Sequence, residues 1–200
     1  MSMVTLVSGG LDSTLMSILA KEEGITLFPL FIDYGQLCKE KELTACLANH
    51  KKFGLPTPKI AEISGYAKLV RSGLTDANLR INEDAFLPGR NPLFLLAGCA
   101  YAYDKGASAV AIGLLLEANH IFPDQTRDFI LRMQNLVDCA FGSKIKIITP
   151  LINFSKRDIL DLAKQKGIDQ TYSCHSGQET PCGICVSCQE ILLAQTGRGS

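Results

Sequence analysis

The sequence predicts an α/β protein built on a doubly wound, parallel, five-stranded sheet. Two observations carry this. Short β-branched or apolar runs alternate with stretches of helical period along most of the 200 residues. The first such run ends in two glycines and passes directly into a helical pattern, as a parallel strand does when it feeds a crossover helix. A chain of this length buries a sizeable core without disulfide staples. Its 20 basic and 20 acidic side chains balance to a net charge of zero. That leaves no broad basic field to capture nucleic acid and favours a small-molecule substrate. No apolar run reaches the roughly 18 residues of a membrane span, and the first eight residues lack the basic region and length of a signal peptide, so a cytoplasmic protein is expected.

The elements follow in order. Residues 3–7 read as a buried strand, then Ser8-Gly9-Gly10-Leu11-Asp12-Ser13-Thr14 forms a turn and opens a helix with apolar residues at Leu11, Leu15, Ile18 and Leu19. Free N–H groups at that helix start, the partial positive charge of its dipole, and the hydroxyls of Ser8, Ser13 and Thr14 make a cup suited to pyrophosphate. No lysine lies between Val4 and Ala20, so the cup is not a Walker loop. The helix ends near Gly24. A second strand over 27–32 stops at Asp33-Tyr34-Gly35-Gln36, a polar turn on the same sheet edge. Residues 39–53 form a helix with Leu43, Cys46, Leu47 and His50 at helical spacing, His50 reading as a surface residue. A third strand covers 59–63, and 64–87 has no dependable period, the length of a lid or binding loop.

Asn91 and Pro92 have the chemistry of an N-cap and first helical residue, and lead a buried apolar helix over 93–102 with Arg90 beside its start. Cys99 and Cys139 read as small buried hydrophobes. A fourth strand over 107–113 delivers residues 114–124 to the edge that holds the first loop; Glu117 and His120 read as solvated loop residues. Asp124 is expected to cap the helix through Phe129, Met133 and Val137. After a fifth strand over 144–148, Ser155-x-x-Asp158 has the spacing of a capping box, and Lys156 beside it points at phosphate or is a plain first-turn lysine.

Of eight cysteines, Cys174, Cys182, Cys185 and Cys188 crowd into a loop bearing Gly177, Pro181 and Gly183. Four thiolates suit one tetrahedral Zn²⁺ in a closed, structural shell. An Fe–S cluster is the rival, and two disulfides would be the reading for an oxidising compartment. The segment 171–200 is therefore set apart from the 1–170 nucleotide-binding domain as a metal-binding tail packed on it.

The Ser-Gly-Gly-Leu-Asp-Ser string after a strand resembles the SGGxDS loop of the ATP pyrophosphatase (PP-loop) family. Asp33-Tyr34-Gly35-Gln36, Pro88-Gly89-Arg90-Asn91, Phe122-Pro123-Asp124, Pro150-Leu151 followed by Ser155-Lys156, and the C-terminal cysteine pattern resemble its QueC branch. The resemblance runs from residue 3 to about 193. It implies ATP cleavage to AMP and pyrophosphate, with Mg²⁺, to activate the carboxylate of 7-carboxy-7-deazaguanine, amination by ammonia, and a second activation leading to the nitrile. It also implies nucleotide contacts at Ser8, Gly9, Gly10, Asp12, Ser13, Thr14, Tyr34, Gln36 and Lys156, catalytic roles for Asp12 and Arg90, substrate contacts at Arg90, Asn91, Phe122 and Asp124, zinc at the four clustered cysteines, and a homodimer. The sequence departs from the pattern at Cys38, where histidine is common, and at Leu115, Ala118 and Asn119. Those departures favour an alternative in which a deazapurine acid is adenylated and passed to an amine, that of a protein included.

Overall fold

The computed structural model describes residues 1–116, 122–142 and 144–196. Five parallel strands, β1 (Ser2–Val7), β2 (Thr26–Asp33), β3 (Lys59–Glu62), β4 (Ala109–Ala111) and β5 (Lys146–Ile148), lie in the order β3-β2-β1-β4-β5. The expected fold class is present. β1 sits centrally, with Val4 registered against Phe28 of β2 and Val110 of β4. From β1 the connections run outward to β2 and β3, then return to β4 on the other side. The carboxyl ends of β1 and β4 therefore form a topological switch point, the crevice where such sheets bind ligands.

Apolar side chains on alternate positions of β1 serve opposite faces. Val4 and Leu6 join one cluster with Leu30, Ile32, Val110 and Leu95. Met3 joins the other with Leu15, Met16, Leu27, Ala109 and Ile159. Burial on both faces explains the continuous apolar strands. Helices α1 (Leu11–Glu22) and α6 (Lys156–Gln165) cover the second face; α4 (Arg90–Lys105) and α5 (Arg127–Phe141) cover the first. Gly98 lets α4 lie close to the sheet, because a Cβ there would come within 2.9 Å of Val110 Cγ1 and 3.2 Å of Leu6 Cδ2. The remaining helices are α2 (Lys39–Lys52), the short α3 (Tyr66–Leu69) and the C-terminal α7 (Val186–Thr196).

Several expectations need correction. The buried stripe of α2 is polar: Cys46, Asn49 and His50 are inside while Leu47 is exposed. His50 Nδ1 donates to the Pro56 carbonyl instead of facing water. α4 is one-sided, with Leu95, Cys99 and Ala102 buried and Tyr103 exposed. Cys139 is exposed. Asn91 does not cap α4, which starts from the left-handed Gly89; its amide is used elsewhere. Thr126 caps α5 in place of Asp124 by accepting from the Phe129 amide. The long 64–87 connection folds back on the molecule and buries Leu74, Ala85 and Leu87 in the first core cluster.

The C-terminal tail crosses the switch point. The Tyr172 amide donates to the Gly9 carbonyl at 3.1 Å, and Asn49 Nδ2 donates to the Gln170 carbonyl. A Cβ on Gly177 would fall 2.6 Å from the Leu37 carbonyl oxygen. α7 then packs on α6.

Candidate functional site

The first loop is braced from within. Gly9 takes φ +79°, a value open to glycine, and packs so tightly on α2 that a Cβ would lie 2.2 Å from the Glu42 carbonyl oxygen. The Thr14 and Ser13 hydroxyls donate to the Gly10 carbonyl at 2.8 and 3.3 Å, and the Gly10 amide donates to Ser8 Oγ at 3.2 Å. The hydroxyls expected to point outward therefore set the loop's shape. No side chain caps α1, so its first-turn N–H groups are left to a ligand.

A lysine does reach the loop, from α6. Lys156 is buried, and its Nζ donates to Asp12 Oδ1 and Oδ2 at 2.8 and 2.9 Å. Ser155 and Asp158 form the expected capping box and fix the helix start that carries it.

Together these elements bound a cavity of about 260 Å³ at the switch point. Ser8, Gly10, Asp12 and Ser13 line one end. Leu6, Leu30, Ile32, Phe94, Ile112 and Leu114 make an apolar wall. Arg90 and Asn91 enter from the first turn of α4, Phe122 stacks on Phe86 at 5.2 Å, and Tyr172, Ser173 and His175 close the site from the tail. Asn91 Nδ2 donates to the Asp124 carbonyl, which pins the Phe122 turn to α4.

Six expected contacts are not wall residues: Gly9, Thr14 and Lys156, placed above, and Tyr34, Gln36 and Asp124. Tyr34 is buried against Phe94, with ring centroids 5.2 Å apart. Gln36 is buried, accepting from the Tyr34 amide and donating to the Ile32 carbonyl and to Glu42 Oε2. Asp124 holds Asn91 and is not a wall residue. Glu117, Ala118, Asn119 and His120 lie outside the described residues.

Sequence reading missed Glu42, His175 and Glu190, all on the cavity wall. Burial pushes the Glu42 carboxyl up to about 7 against the hydrogen bond from Gln36 and the field of Arg90. Burial, reinforced by Arg90, brings the His175 imidazole down to about 4, and its buried Nδ1 has no partner. Burial also raises Glu190, opposed by Lys156. The available signal for Glu42 was its place on the Glu42-Cys46-Asn49 stripe, the face of α2 that turns inward.

The four tail cysteines converge as expected: one sulfur from each of Cys174, Cys182, Cys185 and Cys188 lies within 4.8 Å of the other three. Sulfurs about 3.8 Å apart surround a tetrahedral ion with bonds of ~2.3 Å, so the set fits a single metal ion. A four-iron cluster puts each thiolate on a different iron and demands a wider spread. Although burial alone would raise it, hydrogen bonds from Ser176 and the Cys182 amide bring the Cys174 thiol down to about 6.

A parallel sheet with a glycine-turned loop at its switch point and a four-cysteine tail defines an α/β protein of the PP-loop type. Solved structures of that fold superpose on it. U34-tRNA thiolase NcsA from Methanococcus maripaludis, with its [4Fe–4S] cluster, gives a TM-score of 0.60 at 15% identity, covering 98% of this chain and 64% of that one. NMN synthetase from Francisella tularensis gives 0.56 at 16% identity, covering 98% and 76%. The family model described as queuosine biosynthesis protein QueC matches residues 2–194, and the chain belongs to the QueC family. It is 35% identical over 204 residues to the 7-cyano-7-deazaguanine synthase of Campylobacter curvus, covering 93% of this chain and 89% of that protein. It is 36% identical over 200 residues to the synthase of Acetivibrio thermocellus, covering 92% and 88%.

Proposed function

We propose that the protein is an ATP-dependent C–N ligase that converts 7-carboxy-7-deazaguanine to the nitrile, 7-cyano-7-deazaguanine. The observation that carries this reading is the convergence of an anion cup, Asp12 and Arg90 on one cavity with an apolar wall, Lys156 pairing with Asp12 from behind the lining. The cup receives the β- and γ-phosphates of ATP on uncapped N–H groups, and Lys156 neutralises charge as pyrophosphate leaves. Asp12 is suited to hold Mg²⁺ with the phosphates, the ion adding Lewis-acid polarisation there. Arg90 grips the substrate carboxylate in a two-pronged geometry beside Asn91 and Phe122.

The carboxylate oxygen attacks the α-phosphorus and pyrophosphate leaves. Ammonia displaces AMP to give an amide and one proton. The amide oxygen then attacks the α-phosphorus of a second ATP, expelling a second pyrophosphate; one N–H proton is lost on forming the adenylated imidate, and departure of AMP with loss of the other leaves the nitrile. No protein nucleophile is required; positioning and electrostatics carry the reaction. The four cysteines hold one structural Zn²⁺. A cytoplasmic homodimer completes the reading, supported by the exposed Ile184, Leu192 and Leu193 on the tail. Among the described residues no helix is long and apolar enough to cross a membrane.

One observation favours a second reading. The exit of β4 carries Leu115, an apolar side chain, at a place where a purine-like substrate would use a polar contact. Such a pocket suits a ligase that adenylates a deazapurine acid and hands it to an amine. Mass spectrometry of the enzyme with Mg-ATP, 7-carboxy-7-deazaguanine and ammonium separates the two. Nitrile with two AMP per product is expected; an acyl-adenylate or amide without nitrile establishes the second reading.

A further inference from the structure

Glu42 is a second acid on the cavity wall, apart from the Asp12 suited to hold Mg²⁺. The first turn of α2 abuts the anion cup through Gly9, and the Glu42 side chain belongs to the cavity wall. A bare carboxylate there opposes the triphosphate the cup is shaped for, and Asp12 already offers the metal a carboxylate, so the acceptors of Glu42 fit a hydrogen-bond donor on the other substrate. It has no ion pair among the described residues. It is nonetheless held: Gln36 Nε2 donates to Glu42 Oε2 at 3.1 Å, and Gln36 is itself fixed by the Tyr34 amide and the Ile32 carbonyl. A brace at the end of β2 thus fixes one carboxyl group in a cavity whose lining also includes Leu30, Ile32 and Phe94.

A flat heterocycle lying on that wall meets Glu42 edge-on. The edge that meets a carboxylate donates, and Gln36 with the Cys38 thiol accounts for two of about four lone-pair sites on the two oxygens. Guanine-type rings present two adjacent donors, the ring N–H and the exocyclic amine, which match the two oxygens of a carboxylate. Adenine presents a donor beside an acceptor and does not. We propose that Glu42 is the specificity-determining residue for the substrate ring, accepting hydrogen bonds from the ring N–H and 2-amino group of the deazaguanine. This rests on the deazaguanine reading above. The same carboxyl sits near half-ionisation at neutral pH because burial opposes its charge, and two N–H donors would draw it into the ionised form.

The test is a two-by-two comparison. Wild type and Glu42→Gln are each given Mg-ATP with 7-carboxy-7-deazaguanine or with the same acid lacking the 2-amino group, and AMP release is followed as the acid and then ATP are varied. Loss of a charge-assisted contact raises KM for the natural acid in Glu42→Gln by roughly 10- to 100-fold, with KM for ATP within about twofold of wild type. Wild type disfavours the des-amino acid by a similar factor, and Glu42→Gln treats the two acids alike. Wild type that consumes both acids equally overturns the inference without needing a variant, as does a Glu42→Gln defect that falls on ATP. Glu42→Asp, which keeps the charge and shortens the reach, serves if the glutamine variant misfolds; a retained 2-amino preference with a raised KM is expected of it, and an unchanged KM counts against the inference. If wild type consumes neither acid, the functional reading itself fails and this inference with it.

Discussion

Lys156 Nζ donates to both carboxylate oxygens of Asp12 across a separation of 144 residues, joining the first turns of α1 and α6. The partners are unequal: the lysine side chain is 6% exposed and the aspartate 28%, so Asp12 still faces the cavity while Lys156 depends on it. A helix start favours Asp12 and opposes Lys156. Asp12→Asn therefore strands a buried ammonium and is expected to cost about 3 kcal/mol of stability as well as activity. Lys156→Met removes the charge and keeps the volume. It is expected to fold with a melting temperature near wild type while AMP formation falls by roughly 100-fold or more. Thermal melts and single-turnover AMP release on the two variants check this. Equal destabilisation by both would show that the pair is not organised in this way.

Gly9 offers a sharper steric test. Alanine there would take a left-handed φ of +79° and drive its Cβ to 2.2 Å from the Glu42 carbonyl oxygen, against backbone that has nowhere to move. Gly9→Ala is expected to lose about 2 kcal/mol or more in chemical denaturation and to abolish ATP-dependent turnover. Gly24→Ala, also at positive φ but with open space around its Cβ, carries the backbone strain alone and should retain full activity.

What was legible in the sequence was whatever local chemistry dictates. The strand-turn-helix at 2–22, the capping box at Ser155 and the metal-spaced cysteines each need residues only a few positions apart, and all form as read. What escaped reading depends on long-range packing. His50 looks like a surface residue because its neighbours are charged, yet the tail lies over that side of α2 and Asn49 is spent on the Gln170 carbonyl. Lys156 had two equal readings until α1 supplied its partner. Glu42 was hidden because period analysis scores apolar residues, and the inward stripe of α2 is polar.

Glu42 and His175 make opposite contributions to stability across the acid range. The folded carboxyl at about 7 lies above the ordinary 4.5, so its contribution is complete below pH 4.5 and is lost as pH rises through 7. The folded imidazole at about 4 lies below its ordinary 6.5, so unfolding is favoured progressively as pH falls from 6.5 to 4. Between about pH 4.5 and 6.5 the two slopes offset one another, and the wild-type profile alone reveals neither. Glu42→Gln removes the first. Its stability relative to wild type should climb by about 3 kcal/mol between pH 4.5 and 8, measured by urea titration at each pH. A flat difference would mean that Glu42 is not held in a desolvated site.

The metal should govern the site as well as the tail. Tyr172, Ser173 and His175 flank the first cysteine of the cluster, and Val186, Ser187 and Glu190 flank the last two; all six line the cavity. The Tyr172 amide also closes on Gly9. Losing the metal therefore releases one whole wall. Elemental analysis of the purified protein is expected to find one zinc and no iron per chain, with no visible absorption of an Fe–S cluster. Cys182→Ser breaks the tetrahedral set at a partly buried position and is expected to lower zinc content and to cost several kcal/mol, because binding energy here is folding energy. Its diagnostic consequence is kinetic. At temperatures where the remaining sheet is folded, judged by far-ultraviolet circular dichroism, KM for the acid should rise by roughly 10-fold or more and return on adding zinc to chelator-stripped wild type. An unchanged KM in folded, zinc-free protein would confine the metal to a purely local role and separate the tail from the reaction.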